Sequence, residues 1–366
     1  MSEGAFLPGA DLSGLPEEGP VVVGFSGGAD STALAHWLLH TIDPKRIVLA
    51  HVNHMLRGEE ADRDEAAAGG FARRYGLRFV LSKADVRRLA RERGMGLEEC
   101  GRAVRYEFLG SLARGENGRV LTAHNADDNA ETMLLNLCRG TALPGLCGIP
   151  YARGKILRPL LGVTRAEIET YCSANGLSFV TDSSNLSDEY ARNRIRHAVM
   201  PVLRELNPRF VQAAGQTARL LCRDRDFILD RARELLEQAE GRYGLDAALL
   251  AAAPESLRAA AMKLWLEGQG CAELRKKHLD AAERLLFRGG AASLPGGVLA
   301  GCSQGVFWAG KREAGRTFQM PVGPGETLLP SGKVLILEKK TVPRAENGRK
   351  IHNSFFKNAL DYDIIT

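Results

Sequence analysis

Val21-Val22-Val23-Gly24-Phe25-Ser26-Gly27-Gly28-Ala29-Asp30-Ser31 is the stretch that decides the fold. Its first half is a continuous apolar run with no polar face, as expected of a strand buried on both sides in a parallel sheet. Gly27 and Gly28 then turn the chain tightly and allow a ligand close to the backbone, with no Cβ in the way. Ala33, Leu34, Trp37 and Leu38 follow at helical spacing. A helix starting here aims its free N–H groups and positive dipole end at the turn, and Ser26 and Ser31 add hydroxyl donors. The turn therefore suits an anion such as pyrophosphate. It lacks the Gly-Lys-Ser/Thr ending of a Walker A loop, and it is not GxGxxG. Asp30 beside a polyphosphate would be repelled unless a cation bridged the two, which points to Mg²⁺ held at Asp30. The plainer alternative is a glycine turn capped by serine.

Working outward, the same alternation repeats. Ile47-Val48-Leu49-Ala50 reads as a second strand and residues 59–75 as a helix, with Glu59 and Glu60 at its positive end. Leu77 to Leu81 and Val120 to Ala123 are further short strands. Strand–helix alternation of this kind predicts a doubly wound, mainly parallel α/β sheet with ligands at the carboxyl ends of its strands. Beyond the breaker Asn207-Pro208 the texture changes: Phe210 to Gln238 is helical and Arg-rich, and Ala- and Leu-rich helices run to about Phe287. The Gly/Pro stretch Gly289 to Gly297 leads into β-like runs such as Val306-Phe307-Trp308 and Val334-Leu335-Ile336-Leu337. The expected organisation is an α/β domain over 1–208, a helical domain over 209–288 and a short β-containing tail over 289–366.

Composition sets the outer limits. At roughly 150 residues per domain, 366 residues make two or three domains. With 45% hydrophobic and 25% charged residues, the chain is not disordered, collagenous or a disulfide-stapled miniprotein. The net charge of +5 permits an anionic partner without requiring one, and 6% aromatics argue against a base-stacking platform. Seven scattered cysteines include no CxxC, which argues against a structural zinc or a redox pair and suits a reducing cytosol. The first twenty residues carry acids but no Lys or Arg, unlike a signal or transit peptide. With no apolar run near the roughly 20 residues a bilayer needs, the expectation is a cytoplasmic protein without a membrane partner.

Four further clusters carry chemistry. His51-Val52-Asn53-His54-Met55-Leu56-Arg57 ends the second strand, and His51, His54 and Arg57 can hydrogen-bond a nucleotide or its phosphates. Metal ligation by the two histidines lacks a third ligand nearby, and plain loop histidines are the other alternative. His124-Asn125-Ala126-Asp127-Asp128-Asn129-Ala130-Glu131 crowds three carboxylates at one end of a helix, which is unfavourable unless a metal or a basic group compensates. An acidic first turn facing the helix dipole is the bland reading. Arg102 and Arg105 share a helix face where they could clamp phosphate or carboxylate, or simply be solvated. Tyr190 to His197 holds Arg192 and Arg196 on one face and Arg194 on another, which suits an RNA backbone or, equally, a charged surface helix.

Ser26 to Ser31 resembles the PP-loop of N-type ATP pyrophosphatases, which cleave ATP to AMP and pyrophosphate. H-x-x-H-x-L-R-G from His51, A-R-x-x-R-Y around Arg102 (with Gly101 in place of the usual Ala), H-x-x-D-D-x-x-E-T from His124, R-P-L-L from Arg158, D-x-S-N from Asp182 and R-N-x-x-R from Arg192 narrow the resemblance to the tRNA(Ile)-lysidine synthetases. The likeness is dense over about 20–210 and weaker beyond. It implies ATP-dependent joining of L-lysine to C2 of the wobble cytidine in a tRNA(Ile) with a CAU anticodon, through an adenylated cytidine. It also implies ATP contacts from Ser26, Gly27, Gly28, Ala29, Asp30, Ser31, His51, His54, Arg57 and His124, with cationic help from Arg105 or His51. Asp127, Asp128 and Glu131 would hold lysine or a metal, and Arg192, Arg194, Arg196, Arg219 and Arg223 would contact tRNA. A homodimer is compatible with this reading. Residues 360–366 resemble a point past which long members continue, so the chain is expected to stop before a last C-terminal domain. A PP-loop tRNA thiolation enzyme and a non-catalytic RNA-binding protein with a nucleotide site are the alternatives.

Overall fold

A computed structural model describes residues 7–180, 191–311, 325–328 and 334–337. The Asp182–Asn185 turn, Tyr190 and the 360–366 end lie outside the described residues. The chain divides into two compact units, Met1–Arg225 and Asp226–Thr366.

In the first unit, β1 (Val21–Gly24), β2 (Ile47–Asn53), β3 (Arg78–Lys83), β4 (Arg119–Leu121), β5 (Ala152–Arg153) and β6 (Ile156–Leu157) form one sheet in the order β3-β2-β1-β4-β6-β5. All neighbours are parallel except the β5–β6 hairpin. The period-2 geometry of a strand explains the apolar run: Val21 and Val23 face one side, Val22 the other. On the first side they pack with α1 (Ala29–Leu39), α2 (Glu59–Arg74) and α7 (Arg165–Ala174) through Leu34, Leu38, Ala68, Ala72 and Ile168. On the second side, Val22, Val48 and Ala50 meet Leu109 and Ala113 at the end of α4 (Leu97–Leu112). Between β3 and α4 lies α3 (Val86–Arg93), whose Val86 and Ala90 pack with Cys100 and Val104.

The chain winds outward from β1 to β2 and β3, then crosses back so that β4 lies on the other side of β1. The carboxyl ends of β1 and β4 thus flank the topological switch point, where open α/β sheets bind ligands. After β4 come α5 (Ala126–Cys138) and the short α6 (Leu143–Leu146). After α7, the one-turn α8 (Ala191–Arg194) runs into a π-helical turn at Ile195–Val199 and then α9 (Met200–Leu206). Ile195 and Met200 pack on Ala126 and Ala130, which holds this basic segment against the first turns of α5.

The 30-residue α10 (Phe210–Ala239) carries the chain into the second unit. There β7 (Glu240–Gly241) and β8 (Gly244–Asp246) precede α11 (Ala247–Ala252), α12 (Glu255–Gly268) and α13 (Lys276–Arg288), while β9 (Gly290–Leu294), β10 (Val298–Ser303) and β11 (Val306–Lys311) follow them. These strands pair antiparallel in the order β7-β8-β11-β10-β9. One core joins Leu245, Leu250, Met262, Leu266, Ala282 and Phe307. The Gly/Pro stretch read as a connector holds β9, because backbone pairing with β10 compensates for its weak side-chain propensity. A separate antiparallel pair joins β12 (Gly325–Leu328) and β13 (Val334–Leu337).

Candidate active site

The PP-loop leaves β1 at Phe25 and enters α1 at Ala29. Gly27 sits at φ +84°, a conformation that L side chains rarely adopt, so glycine is required there. The loop is closed by one hydroxyl. Ser31 Oγ accepts the N–H groups of Ser26 and Gly27, each at 3.2 Å, and donates to the Gly28 carbonyl at 3.0 Å. Ser26 Oγ lies 3.1 Å from the same atom. No side chain caps α1, so its first N–H groups remain available to an anion.

Asp30, one residue into the helix, reaches across the switch point. Its Oδ1 accepts from Asn125 Nδ2 at 3.0 Å and its Oδ2 from Arg165 Nη1 at 3.2 Å. Burial raises its pKa above the usual carboxylate range, and the Arg165 guanidinium pulls the other way. Among the described residues no three His, Cys, Asp or Glu side chains converge as a ready-made metal cage. A single carboxylate nevertheless fits Mg²⁺, which keeps several waters and takes its remaining ligands from substrate phosphates. Sequence reading overlooked Asn125 and Arg165, because they lie 95 and 135 residues from Asp30.

The histidines of the second strand sit beside this loop. His51 Nδ1 donates to the Phe25 carbonyl at 2.9 Å, which fixes the tautomer and leaves Nε2 as an acceptor. Burial lowers the His51 pKa, which favours its neutral form and leaves Arg105 as the stronger source of the expected cationic help. Arg105 Nη2 lies 3.5 Å from His54 Nε2, and burial together with Arg105 pushes His54 down to about 4. Arg57 is tied to α2 through Asp64 at 2.9 Å. At the end of β4, His124 Nδ1 lies 2.9 Å from Thr122 Oγ1. Burial, then Arg158, Arg192, Arg102 and Arg105, hold His124 down at about 3.

The three carboxylates of α5 do crowd one end of the helix, but the chain supplies its own compensation. Asn125 and Asp128 form a capping box, each side chain accepting the other's backbone N–H. Asp128 Oδ1 also accepts from Arg192 Nη2 at 3.1 Å and Arg196 Nη2 at 3.2 Å. Glu131 is chelated by the same two arginines, with Arg196 Nε at 2.6 Å and Arg192 Nε at 3.0 Å. Asp127 accepts the Arg165 backbone N–H at 2.7 Å and pairs with Arg204. Arg192 and Arg196, expected to meet tRNA, therefore face inward to carboxylates. Arg194, Arg219 and Arg223 are exposed. Arg204, which sequence reading passed over, completes the lattice.

A PP-loop whose aspartate is cross-braced at the switch point of a parallel sheet places the chain in the PP-loop class of ATP-binding proteins. The PP-loop domain family matches residues 11–203, and the TilS substrate binding domain family matches residues 245–305. The tRNA(Ile)-lysidine synthase of Geobacillus kaustophilus is 34% identical over 356 residues, 91% of this chain and 76% of that one. The Geobacter sulfurreducens enzyme of the same name is 36% identical, covering 88% of this chain and 72% of its own. The one from Porphyromonas gingivalis reaches 46% identity over 54% of this chain and 43% of its own. The chain belongs to the tRNA(Ile)-lysidine synthase family. Among solved structures, a U34-tRNA thiolase from Methanococcus maripaludis aligns with 58% of this chain and 75% of its own at 20% identity and a TM-score of 0.47.

Proposed function

We propose that this protein joins lysine to C2 of the wobble cytidine of a tRNA(Ile) with a CAU anticodon, consuming ATP and releasing AMP and pyrophosphate. Family membership supports the reaction. The observation that carries its assignment to this site is the juxtaposition of a PP-loop with a lattice of alternating charges at α5. Such a lattice matches a zwitterion: Asp128 and Glu131 already hold cationic groups, and Arg192 and Arg196 are positioned to meet a carboxylate. Lysine entry requires one of these ion pairs to open.

In the first step the cytidine O2 attacks the α-phosphate and pyrophosphate leaves. N–H groups from Ser26 to Ser31 receive the phosphates, taking Ser26 and Gly27 from the Ser31 hydroxyl. Asp30 would hold Mg²⁺, which when bound would supply charge neutralisation at the phosphates. Arg105 adds a positive charge, while neutral His54 and His124 offer hydrogen bonds without one and His51 Nε2 offers an acceptor. In the second step the neutral ε-amine of lysine attacks C2, AMP departs, and the amine's proton passes to a carboxylate of the α5 lattice. Asp127 acts by holding Arg165 and Arg204 in place. Exposed Arg194, Arg219 and Arg223 contact the RNA backbone, with residues 1–208 catalytic and 209–288 serving tRNA contact. The working compartment is the cytoplasm; among the described residues no helix is long and apolar enough to cross a membrane.

The test mixes the protein with ATP, labelled lysine and the CAU-anticodon tRNA(Ile). Label in the RNA is expected, with one AMP formed per lysine attached; an unlabelled RNA would sink the assignment. Asp30→Asn should lower this turnover by at least about 10²-fold, as removal of one electrostatic interaction with the transition state does. An undiminished rate in that variant would favour a binding protein with a vestigial nucleotide site.

A further inference from the structure

α3 has four arginines within its eight residues, Arg87, Arg88, Arg91 and Arg93, against the single Glu92. Their surroundings sort them into two kinds. Arg93 makes a bidentate pair with Glu107 at 2.8 and 3.1 Å, and Arg88 reaches Glu92 at 3.4 Å. Arg87 and Arg91 are exposed and have no acidic partner among the described residues; the Arg91 Nε donates only to the Arg87 carbonyl, at 3.3 Å. One turn apart on the same flank, they present two charges spaced about 6 Å along the helix axis.

The helix is fastened to the lip of the site. The Ala84 N–H donates to the Asn53 carbonyl at 2.9 Å and the Val86 N–H to the His54 carbonyl at 3.4 Å, so α3 starts at the carboxyl end of β2. Val86 also lies against Gly101, with His54 on the same side, and the next residue is Arg102. Arg102 is exposed, stacks on Tyr106 with its guanidinium 4.9 Å from the ring centroid, and adds to the positive field on His124. Glu98 and Glu99 lie one turn before it on α4, and among the described residues neither forms an ion pair with it. Arg87 and Arg91 on α3 and Arg102 on α4 thus make a rim of charge without acidic partners among the described residues, on the two helices that pack beside His54.

We propose that this α3–α4 rim binds RNA phosphates flanking the nucleotide that enters the site. The inference rests on the lysine-transfer reading for its substrate and adds a surface to it. Three exposed guanidiniums on helices fastened beside a site for a polyanion are the electrostatic footprint of backbone contact, which positions a strand without reading its sequence. This rim adds to Arg194, Arg219 and Arg223 a second exposed basic surface, while Arg192 and Arg196 are engaged with carboxylates.

Binding of the full chain to the CAU-anticodon tRNA(Ile), followed by fluorescence anisotropy between 50 and 300 mM KCl, tests the rim. The double variant Arg87→Gln/Arg91→Gln, and Arg102→Gln separately, should each weaken binding, the double by on the order of tenfold. The slope of log K against log salt should fall by about 0.7 for each phosphate no longer neutralised. KM for the tRNA should rise with kcat at saturation and ATP affinity unchanged, and Arg88→Gln, already paired, should behave as the unaltered chain. Equal affinity and equal slope in all variants would overturn the rim and leave the lysine-transfer reading intact. An unaltered chain that fails to bind this RNA would overturn both.

Discussion

The two units use charge in opposite ways. In the first, Glu131 and Asp127 have side chains only 2% and 7% exposed, and their arginines come from 61 to 77 residues away. In the second, most ion pairs are local: Arg231–Glu234, Arg233–Asp230 and Lys263–Glu267 join residues three or four apart on exposed helix faces. A local exposed pair changes stability little, since water and salt screen it and two long side chains must be ordered. A lattice between distant segments fixes how α5, α7, α8 and α9 meet, at the cost of desolvating its carboxylates, while its arginines stay partly in water. The charges proposed for catalysis lie on the unit that accepts that cost.

The largest expected effect comes from removing the centre of the lattice. Glu131→Ala leaves Arg192 and Arg196 side by side with one carboxylate fewer, and a loss of about 3–5 kcal/mol in urea unfolding is expected. A loss below about 1 kcal/mol would erase the contrast between the units. Next comes Arg258, the exception among the second unit's described residues, which pairs with Glu283 at 2.6 Å, donates to the Ala251 and Ala253 carbonyls and lies over Phe287. Arg258→Ala should cost about 2 kcal/mol, closer to the first unit's pairs than to its own neighbours'. Thermal unfolding of the two units measured separately would place it.

Acid should weaken the first unit selectively. His54 and His124 have folded pKa values of about 4 and about 3, below the unperturbed 6.5, so the unfolded chain binds protons first. Their contribution is therefore fully present above pH 6.5 and is lost as pH falls toward 4 and then 3. Replacing His54 with Asn should flatten that decline by on the order of 1 kcal/mol after solvent screening, as read from Tm against pH. The smallest effect belongs to the surface of the second unit, where Arg233→Ala should shift stability by less than about 0.5 kcal/mol. A larger shift there would mean that exposure is a poor guide to the value of these pairs.

The first unit was legible because its signals are local. The strand at Val21, the turn at Gly27 and Gly28 and the helix at Glu59 each announce themselves within a dozen residues. The 59–75 helix ends at Arg74 and the 210–238 helix at Ala239, within a residue of expectation. Pairing across the chain was not legible. Periodicity identifies α5 as acidic at one end and the 190s as basic, but nothing in either pattern says that Arg192 and Arg196 fold back onto Asp128 and Glu131. The sheet of the second unit was only half visible for the same reason: the β11 run at Val306–Trp308 reads as β-like, but its partner β8 lies some sixty residues earlier and is three residues long, too short to read alone.

The Ser31 hydroxyl has a consequence for the timing of turnover. Because one oxygen satisfies the two amides of the loop, the loop keeps its shape by an internal placeholder. An arriving phosphate needs only a rotation about one side-chain torsion to claim those amides, and a departing pyrophosphate is replaced by the reverse rotation. Ser31 is buried, so the rotation is confined to one side chain inside the loop, a smaller rearrangement than refolding the loop itself. The conformational cost of ordering the cradle is met during folding and is not incurred again in each catalytic cycle.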